Sequence, residues 1–117
     1  SIEPKTSQRE CRMSVYVIAD IDIKDRDAYS EYQKLVVPIV EKFGGRYLVR
    51  GGTIIPGEGD WSPTRIVMIE FPTADDAKAM MTSDEYAPVG AIRYKAANSR
   101  SFMVESIDVS NDSPKDE

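Results

Sequence analysis

The sequence predicts an α+β domain with the element order β-α-β-β-α-β, in which one antiparallel sheet carries both helices on one face. Three observations lead to this prediction. Apolar and polar residues alternate near the start of the core, which is typical of a strand. Later segments repeat apolar residues every three or four positions, which is typical of helices. Glycine or proline separates most of the predicted elements.

The chain of 117 residues has the length of one domain, and its 41% hydrophobic content is ordinary for a globular protein. We expect the core at residues 13–107, a flexible extension at residues 1–12 and an acidic tail at residues 108–117. No apolar run approaches the roughly 18 residues of a membrane helix, and the N-terminus lacks the apolar segment of a secretory signal. We therefore expect a cytoplasmic protein.

The first half of the core predicts a strand, a helix and a second strand. The first strand follows from alternation of Val15, Val17, Ala19, Ile21 and Ile23 with more polar neighbours. Asp25 suits the N-cap of the helix, and Pro38 predicts a kink or a division into two helical pieces. The apolar stripe of this helix comprises Tyr29, Tyr32, Val36, Ile39, Val40 and Phe43. Gly44 and Gly45 end the helix, and residues 46–50 form the second strand.

A glycine-rich connection at residues 51–60 leads to the third strand, for which residues 64–71 are rich in β-branched side chains. The GEG sequence at residues 57–59 joins two strands and precedes no helix, so a phosphate-binding loop is not predicted. Thr73, with Asp76 three positions later, resembles a capping box at the start of the second helix.

The last third of the core is predicted to be helical and then extended. Residues 83–97 are helix-like, with interruptions expected at Pro88 and Gly90. Residues 100–107 form the last predicted strand. The resulting order is that of the ferredoxin-like fold, an antiparallel sheet with both helices on one face.

Alternation along the strands divides their side chains between two faces of the sheet. The face predicted to pack on the helices is apolar and comprises Val15, Val17, Ala19, Ile21, Val67, Ile69, Phe71, Phe102 and Val104. The other face is mixed and comprises Tyr16, Ile18, Asp20, Arg46, Leu48, Arg50, Ile66, Met68, Glu70, Met103, Glu105 and Ile107. Tyr47 and Val49 are assigned opposite Leu48. Because a solvated face should be clearly polar, we expect two copies to pair through the mixed face as a homodimer; a monomer is the alternative.

Several segments, taken in order, resemble a bacterial family called domain of unknown function 1330. The matching segments are residues 44–52 (GGRYLVRGG), 58–65 (EGDWSPTR), 69–72 (IEFP), Tyr86 and residues 93–97 (RYKAA). The resemblance extends over about residues 14–106 and implies the dimeric α/β-barrel superfamily, whose members pair two ferredoxin-like sheets. Some members of that superfamily are cofactor-independent monooxygenases, isomerases or decarboxylases, and others bind haem. The family's own reaction is not established, and Met80 and Met81 stand where an aromatic residue is usual.

The composition excludes several kinds of chemistry. The net charge of −5 argues against nucleic acid binding, which requires a basic surface. The chain has no histidine and one cysteine, Cys11, which excludes histidine-dependent nucleophilic catalysis, histidine zinc sites and thiolate clusters. The paired aspartates at residues 20 and 22 and at residues 75 and 76 lack the spacing of a calcium loop. We expect no cofactor, no metal, and neither a nucleic acid nor a membrane as partner.

We expect a ligand pocket on the mixed face. Asp20 and Glu70 are the candidate catalytic residues, because a buried carboxyl with a raised pKa can exchange protons without histidine. Arg46 or Arg50 could hold an anionic oxygen of a small organic substrate. The alternative is that these acids and arginines form ion pairs at the barrel rim.

The predicted substrate-binding residues are Tyr16, Arg46, Trp61, Arg65, Met68, Tyr86 and Arg93. Trp61, Arg65, Tyr86 and Arg93 are placed near the mouth. Arg65 has the opposite strand parity to Met68, so it joins the pocket only if the third strand begins with a bulge. Tyr29 and Tyr32 are expected to be core residues of the first helix.

Three functions remain open from the sequence. The chain could be a cofactor-independent enzyme acting on a small organic molecule, a ligand-binding protein without turnover, or a purely structural dimer. A closed pocket of about a few hundred Å³ with Asp20 or Glu70 beside an arginine would favour the enzyme. Carboxylates that are already ion-paired would favour binding, and a solidly packed interior would favour a structural role.

Overall fold

The computed structural model describes residues 14–106, so Cys11, Ile107 and the predicted extension and tail lie outside the described residues. The elements are β1 (Val15–Ile23), α1 (Arg26–Lys42), β2 (Arg46–Arg50), β3 (Ile66–Phe71), α2 (Ala74–Met81), α3 (Tyr86–Ala96) and β4 (Ala97–Glu105). The strands form one antiparallel sheet in the order β2-β3-β1-β4. The predicted α+β, ferredoxin-like fold is confirmed.

The first two helices begin at the residues that the sequence predicts. The Asp25 side chain accepts a hydrogen bond from the Ala28 backbone N–H at 3.1 Å, and α1 follows. The Thr73 hydroxyl accepts from the Asp76 N–H at 3.1 Å and donates to the Asp76 carboxylate at 2.9 Å, and α2 follows. Each cap satisfies a backbone donor that has no partner within its helix. Within the described residues, no helix has the length and apolar character that crossing a membrane requires.

The prolines interrupt the helices less than the sequence predicts. Pro38 is exposed and lies inside α1, which continues undivided, so of the two predicted outcomes the division into two pieces is wrong and the kink stays a prediction. The carbonyl of Lys34, which loses its usual partner there, is on an exposed residue and can bond to water.

The third helix also runs without the predicted interruption. Pro88 lies in the first turn of α3, where the missing N–H would have no partner within the helix in any case. Gly90 packs against the ring of Tyr86, where an added Cβ would lie 2.8 Å from Cε2. Ala97 is already extended, so β4 begins three residues earlier than predicted.

The core lies between the sheet and the helices. Phe71, Val15 and Val40 are its largest fully buried side chains. Gly45 allows the chain to turn into β2 beside them, because an added Cβ would lie 2.8 Å from both Phe71 Cε1 and Val40 Cγ1. This packing fixes the face of the sheet that the helices cover.

A β-bulge in β2 changes one predicted face. Tyr47 lies opposite Ile69 on the helix-covered face, but beyond the bulge Val49 lies opposite Met68 and Arg50 lies opposite Val67. Directly opposed residues of an antiparallel pair share a face, so Arg50 lies on the helix-covered face and Val49 on the other. The predicted placement of Arg50 beside Arg46 is therefore wrong.

The register of β4 changes a second prediction. Phe102 lies opposite Ile18 and Val104 opposite Tyr16, whereas Met103 lies opposite Val17. Phe102 and Val104 therefore lie on the face that the helices leave uncovered, hereafter the open face, and Met103 and Glu105 lie on the helix-covered face. Three consecutive apolar residues at 102–104 carry no alternation, so pairing with β1 alone decides their faces.

Candidate functional site

The helix-covered face of the sheet and the helices above it border a cavity of about 80 Å³, hereafter the interior cavity. Most of its lining is apolar and comes from β1, β3 and α1. Its charged and aromatic lining residues are Arg50, Arg65, Arg93, Tyr29, Tyr32, Tyr47 and Tyr86. Gln33 and Ser101 complete the polar lining.

Arg65 immediately precedes β3 and enters the interior cavity from the sheet. Its carbonyl accepts a hydrogen bond from the Ile21 N–H at 2.8 Å, which fixes the backbone beside β1. The guanidinium carbon lies 5.7 Å from the centre of the Tyr29 ring. Gly51, with φ of +79°, leaves room for the guanidinium, since an added Cβ there would lie 2.5 Å from Nη1. The Arg65 Nε is buried without a hydrogen-bond partner among the described residues.

Arg50 reaches the same side of the sheet because of the β2 bulge. Its guanidinium carbon lies 4.6 Å from the centre of the Tyr47 ring, a cation–π arrangement. Burial raises the pKa of Tyr47 to about 12, although Arg50 acts in the opposite direction. Arg50 itself is exposed, so this end of the interior cavity opens to solvent.

Arg93, from α3, is held by several partners. It donates to Ser99 Oγ at 2.6 Å and to the Tyr86 hydroxyl at 3.2 Å. Its guanidinium carbon lies 5.9 Å from the centre of the Tyr32 ring and 4.8 Å from that of Tyr94. Burial alone would lower the pKa of Arg93, but the hydrogen bond and charge interaction with Tyr86 outweigh it and raise the pKa.

Tyr29 and Tyr32 form an aromatic pair in the cavity. The rings of Tyr29 and Tyr32 lie 5.4 Å apart at an angle of 40°. Burial, followed by the neighbouring Tyr86, raises the pKa of Tyr32 well above its ordinary value of 10.0. Neutral phenols can donate hydrogen bonds to a ligand, and their rings offer it an apolar surface.

The electrostatic character of the interior cavity is positive. Its lining includes three arginines and neither aspartate nor glutamate. Within residues 14–106, the ion pairs involve other basic residues, so Arg50, Arg65 and Arg93 have no carboxylate partner there. Cations that line an otherwise apolar cavity without a carboxylate beside them favour the binding of an anion.

Asp20 lies on the open face and fastens the connection between β2 and β3 to β1. One carboxylate oxygen accepts from the backbone N–H groups of Thr64 at 2.9 Å and Arg65 at 3.3 Å. The other accepts from Trp61 Nε1 at 3.4 Å and lies 3.8 Å from Arg100 Nη2. Burial alone would raise the pKa of Asp20, but these partners outweigh it and the pKa lies below the ordinary value of 3.8. The prediction of a raised pKa for Asp20 is therefore wrong.

Glu70, the second predicted acid, forms an ion pair with Arg46 across β3 and β2. The Glu70 Oε1 and Arg46 Nε atoms are 2.9 Å apart. Tyr16 and Met68 belong to the same face, since Tyr16 lies opposite Glu70 and Met68 lies opposite Ile18. Both predicted acids are therefore engaged by other groups on the open face.

The structure divides the predicted site residues between two places. Those on or beside the open face are Tyr16, Asp20, Arg46, Trp61, Met68 and Glu70. Those in the interior cavity are Arg65, Tyr86 and Arg93. A wide groove of about 710 Å³ on the open face includes Asp20 and Trp61, together with Ile18, Ile66, Arg100 and Phe102 among its lining residues.

Sequence reasoning missed three cavity residues, Tyr29, Tyr32 and Tyr47, and it named Arg50 as a possible anion-binding residue but placed it on the other face. Tyr29 and Tyr32 were predictable only as core residues, although the hydroxyls on a buried apolar stripe are a signal for a polar cavity. Tyr47 was assigned to the helix-covered face, but without partners to suggest a site. The face on which Arg50 lies depends on the β2 bulge, which nothing in the RYLVR sequence indicates.

We expect Asp20→Asn to lower the free energy of unfolding by about 1–3 kcal/mol at neutral pH. The amide nitrogen is itself a donor and would replace an oxygen that accepts hydrogen bonds from the N–H groups around it. Since the folded-state pKa is lowered, the carboxylate stabilises the fold above about pH 4, and this contribution is lost as pH falls through the folded-state pKa. The difference from wild type should therefore shrink toward about pH 2. Urea unfolding followed by the fluorescence of Trp61, the single tryptophan, measures it. Asp60→Asn, an exposed change in the same connection, should have little effect; an equal loss there would contradict the prediction.

The sequence matches the family model described as Domain of unknown function (DUF1330) over residues 14–107. It has no significant match among curated proteins. The fold is similar to that of a protein of unknown function from Rhodopseudomonas palustris, with a TM-score of 0.66 and 16% identity, over 92% of this chain and 95% of that one.

Two further solved structures are similar in fold. SnoaB, a cofactor-independent oxygenase from Streptomyces nogalater, has a TM-score of 0.60 and 7% identity, over 84% of this chain and 97% of that one. A conserved protein of unknown function from Bacteroides thetaiotaomicron, described as a possible oxidoreductase, has a TM-score of 0.58 and 12% identity, over 80% of this chain and 98% of that one. At these identities the likeness shows the fold alone.

Proposed function

The chain belongs to the family described as Domain of unknown function (DUF1330), and we propose that it is a homodimeric protein that binds a small organic molecule in the interior cavity. The observation that carries the binding is the cavity's lining of three arginines and four tyrosines in an otherwise apolar setting. Ligand sites combine an apolar wall with a few convergent polar groups in this way. A single buried water needs only about 10–15 Å³, so a cavity of about 80 Å³ exceeds a packing void.

The cavity favours binding over a reaction that begins with proton abstraction. Its ionisable residues are arginines, which stay protonated, and tyrosines, of which Tyr32 and Tyr47 have raised pKa values. Neither kind of side chain is a base at neutral pH. The carboxylates of Asp20 and Glu70 lie on the opposite face and already accept hydrogen bonds. We therefore propose that the protein binds its ligand and that Asp20 and Glu70 do not catalyse a reaction of it.

The homodimer is supported by the open face. Phe102 and Val104 are 55% and 46% exposed in the single chain, and they lie beside the half-buried Ile18 and Tyr16. An apolar surface of this kind is typical of an interface, and a second copy packed face to face would cover it. The same pairing is implied by the resemblance to the dimeric α/β-barrel superfamily.

We expect Ala19→Leu to abolish binding, because residue 19 lines the cavity and the larger side chain would occupy it. The test is a thermal-shift screen of wild type with small aromatic compounds of differing charge: benzoate, benzamide and benzyl alcohol. A compound that binds the folded state raises the melting temperature. That rise should disappear in Ala19→Leu and persist in Ala91→Leu, which enlarges an exposed alanine of α3. If no compound stabilises wild type, or if the two variants respond alike, the proposed binding site is contradicted.

A further inference from the structure

We infer that the ligand of the interior cavity is a small aromatic carboxylate, held through its carboxylate by Arg65 and Arg50. The inference rests on the proposed function and adds the ligand's charge, its chemical class and the two residues that bind it. Arg65 and Arg50 lie at the end of the cavity that opens to solvent, and the aromatic rings lie beside them.

Arg65 has a buried hydrogen-bond donor without a partner among the described residues. Buried polar atoms are nearly always hydrogen-bonded, and an unpaired one costs free energy. The Arg65 Nε is buried and has no partner among the described residues, and no carboxylate lines the cavity around it. A carboxylate can accept two parallel hydrogen bonds from the edge of a guanidinium that carries Nε. A carboxylate bound beside this guanidinium would supply a partner that residues 14–106 do not.

Arg50 and Arg65 come from neighbouring strands and line the same cavity. Arg50 lies opposite Val67, and Arg65 is two residues before Val67 on the same face, so the two arginines are diagonal neighbours across β2 and β3. Diagonal neighbours are within reach of long side chains. A monoanion bound at this end of the cavity would be attracted by both guanidinium groups.

Arg93 differs from this pair because it donates hydrogen bonds to other side chains. Arg93 already donates to Ser99 and Tyr86 and stacks near Tyr32. Two of its five N–H donors are therefore engaged, and these bonds hold the guanidinium beside Tyr86. The anion is left to Arg65 and Arg50, whose guanidinium groups have aromatic contacts but no carboxylate partner within residues 14–106.

The aromatic lining indicates the body of the ligand. The Tyr29 ring lies beside Arg65, the Tyr32 ring lies 5.4 Å from that of Tyr29 at an angle of 40°, and the remaining wall is largely aliphatic. Tilted aromatic pairs pack well with a further ring, and an apolar ring loses nothing by leaving water. The positive charge and the aromatic rings of the lining therefore favour a small aromatic carboxylate.

The test is calorimetric titration with benzoate and with benzamide, which has nearly the same shape and no charge. Wild type should bind benzoate at least tenfold more tightly than benzamide. Arg65→Met and Arg50→Met keep much of the apolar stem and should each weaken benzoate binding at least tenfold, with little effect on benzamide. The matched control is Arg46→Met, which removes an arginine of β2 that faces the open side and pairs with Glu70. It should bind benzoate as wild type does.

Arg65→Lys keeps a positive charge and serves as a second variant in case Arg65→Met does not fold. It should retain part of the preference for benzoate over benzamide. The inference is overturned if wild type binds benzamide as tightly as benzoate, if it binds neither, or if Arg46→Met and Arg65→Met weaken benzoate equally. In the first case Ala19→Leu would still abolish binding, so the proposed binding function would stand while the ligand class failed. Failure of all neutral and charged compounds would reject both.

Discussion

The double variant Ile66→Lys, Met68→Lys is expected to be a monomer, in contrast to the proposed wild-type homodimer. Met68 lies opposite Ile18 on the open face, and Ile66 lies opposite Asp20 on the same face. In a face-to-face dimer, both side chains would be withdrawn from water against the second copy. A charge buried there without a partner costs about 3–5 kcal/mol, which corresponds to a weakening of association by roughly a hundredfold to a thousandfold or more. Sedimentation velocity over a range of concentrations measures the change.

Met103→Lys is the matched control for this experiment. Met103 is 37% exposed but lies opposite Val17 on the helix-covered face, at the edge strand. A lysine there can extend into solvent and should leave the dimer intact. Wild-type protein that is monomeric at high micromolar concentration would contradict the homodimer, and equal dissociation of both variants would contradict the assignment of the interface to the open face.

Phe71→Ala is expected to lower the free energy of unfolding by about 3–5 kcal/mol, the usual cost of removing a buried aromatic ring. Phe71 is fully buried at the end of β3, and it packs so closely on Gly45 that no Cβ would fit between them. Helix α1 and strand β2 meet at this point, so the chain cannot close on the space without moving the turn. Since small domains are stable by only about 5–15 kcal/mol, this loss is a large fraction of the total stability.

Urea unfolding monitored by circular dichroism measures this loss. The control is Ile55→Ala, which truncates a large apolar side chain that is 84% exposed in the connection between β2 and β3. Surface changes of this kind usually alter stability by less than about 0.5 kcal/mol. A Phe71→Ala variant that unfolds at nearly the wild-type urea concentration would contradict the placement of this ring at the centre of the core.

Local sequence signals predicted the elements of this protein well. The alternation that begins at Val15, the cap at Asp25 and the cap at Thr73 each depend on residues that are neighbours in the chain, so they could be recognised without the fold. Pro38 and Pro88 were less disruptive than expected for a local reason as well. One is on an exposed helix surface and the other is in a first turn.

The candidate site was decided by tertiary structure. The side-chain period of a strand is two, so one extra residue reverses every face that follows it. The bulge between Tyr47 and Val49 moved Arg50 from the open face to the cavity, and pairing with β1 decided the faces of Phe102 and Met103. The sequence alone determined which segments form strands and helices, because those preferences are local. Which arginines meet the tyrosines depended on register between distant strands, and only the folded sheet sets that register.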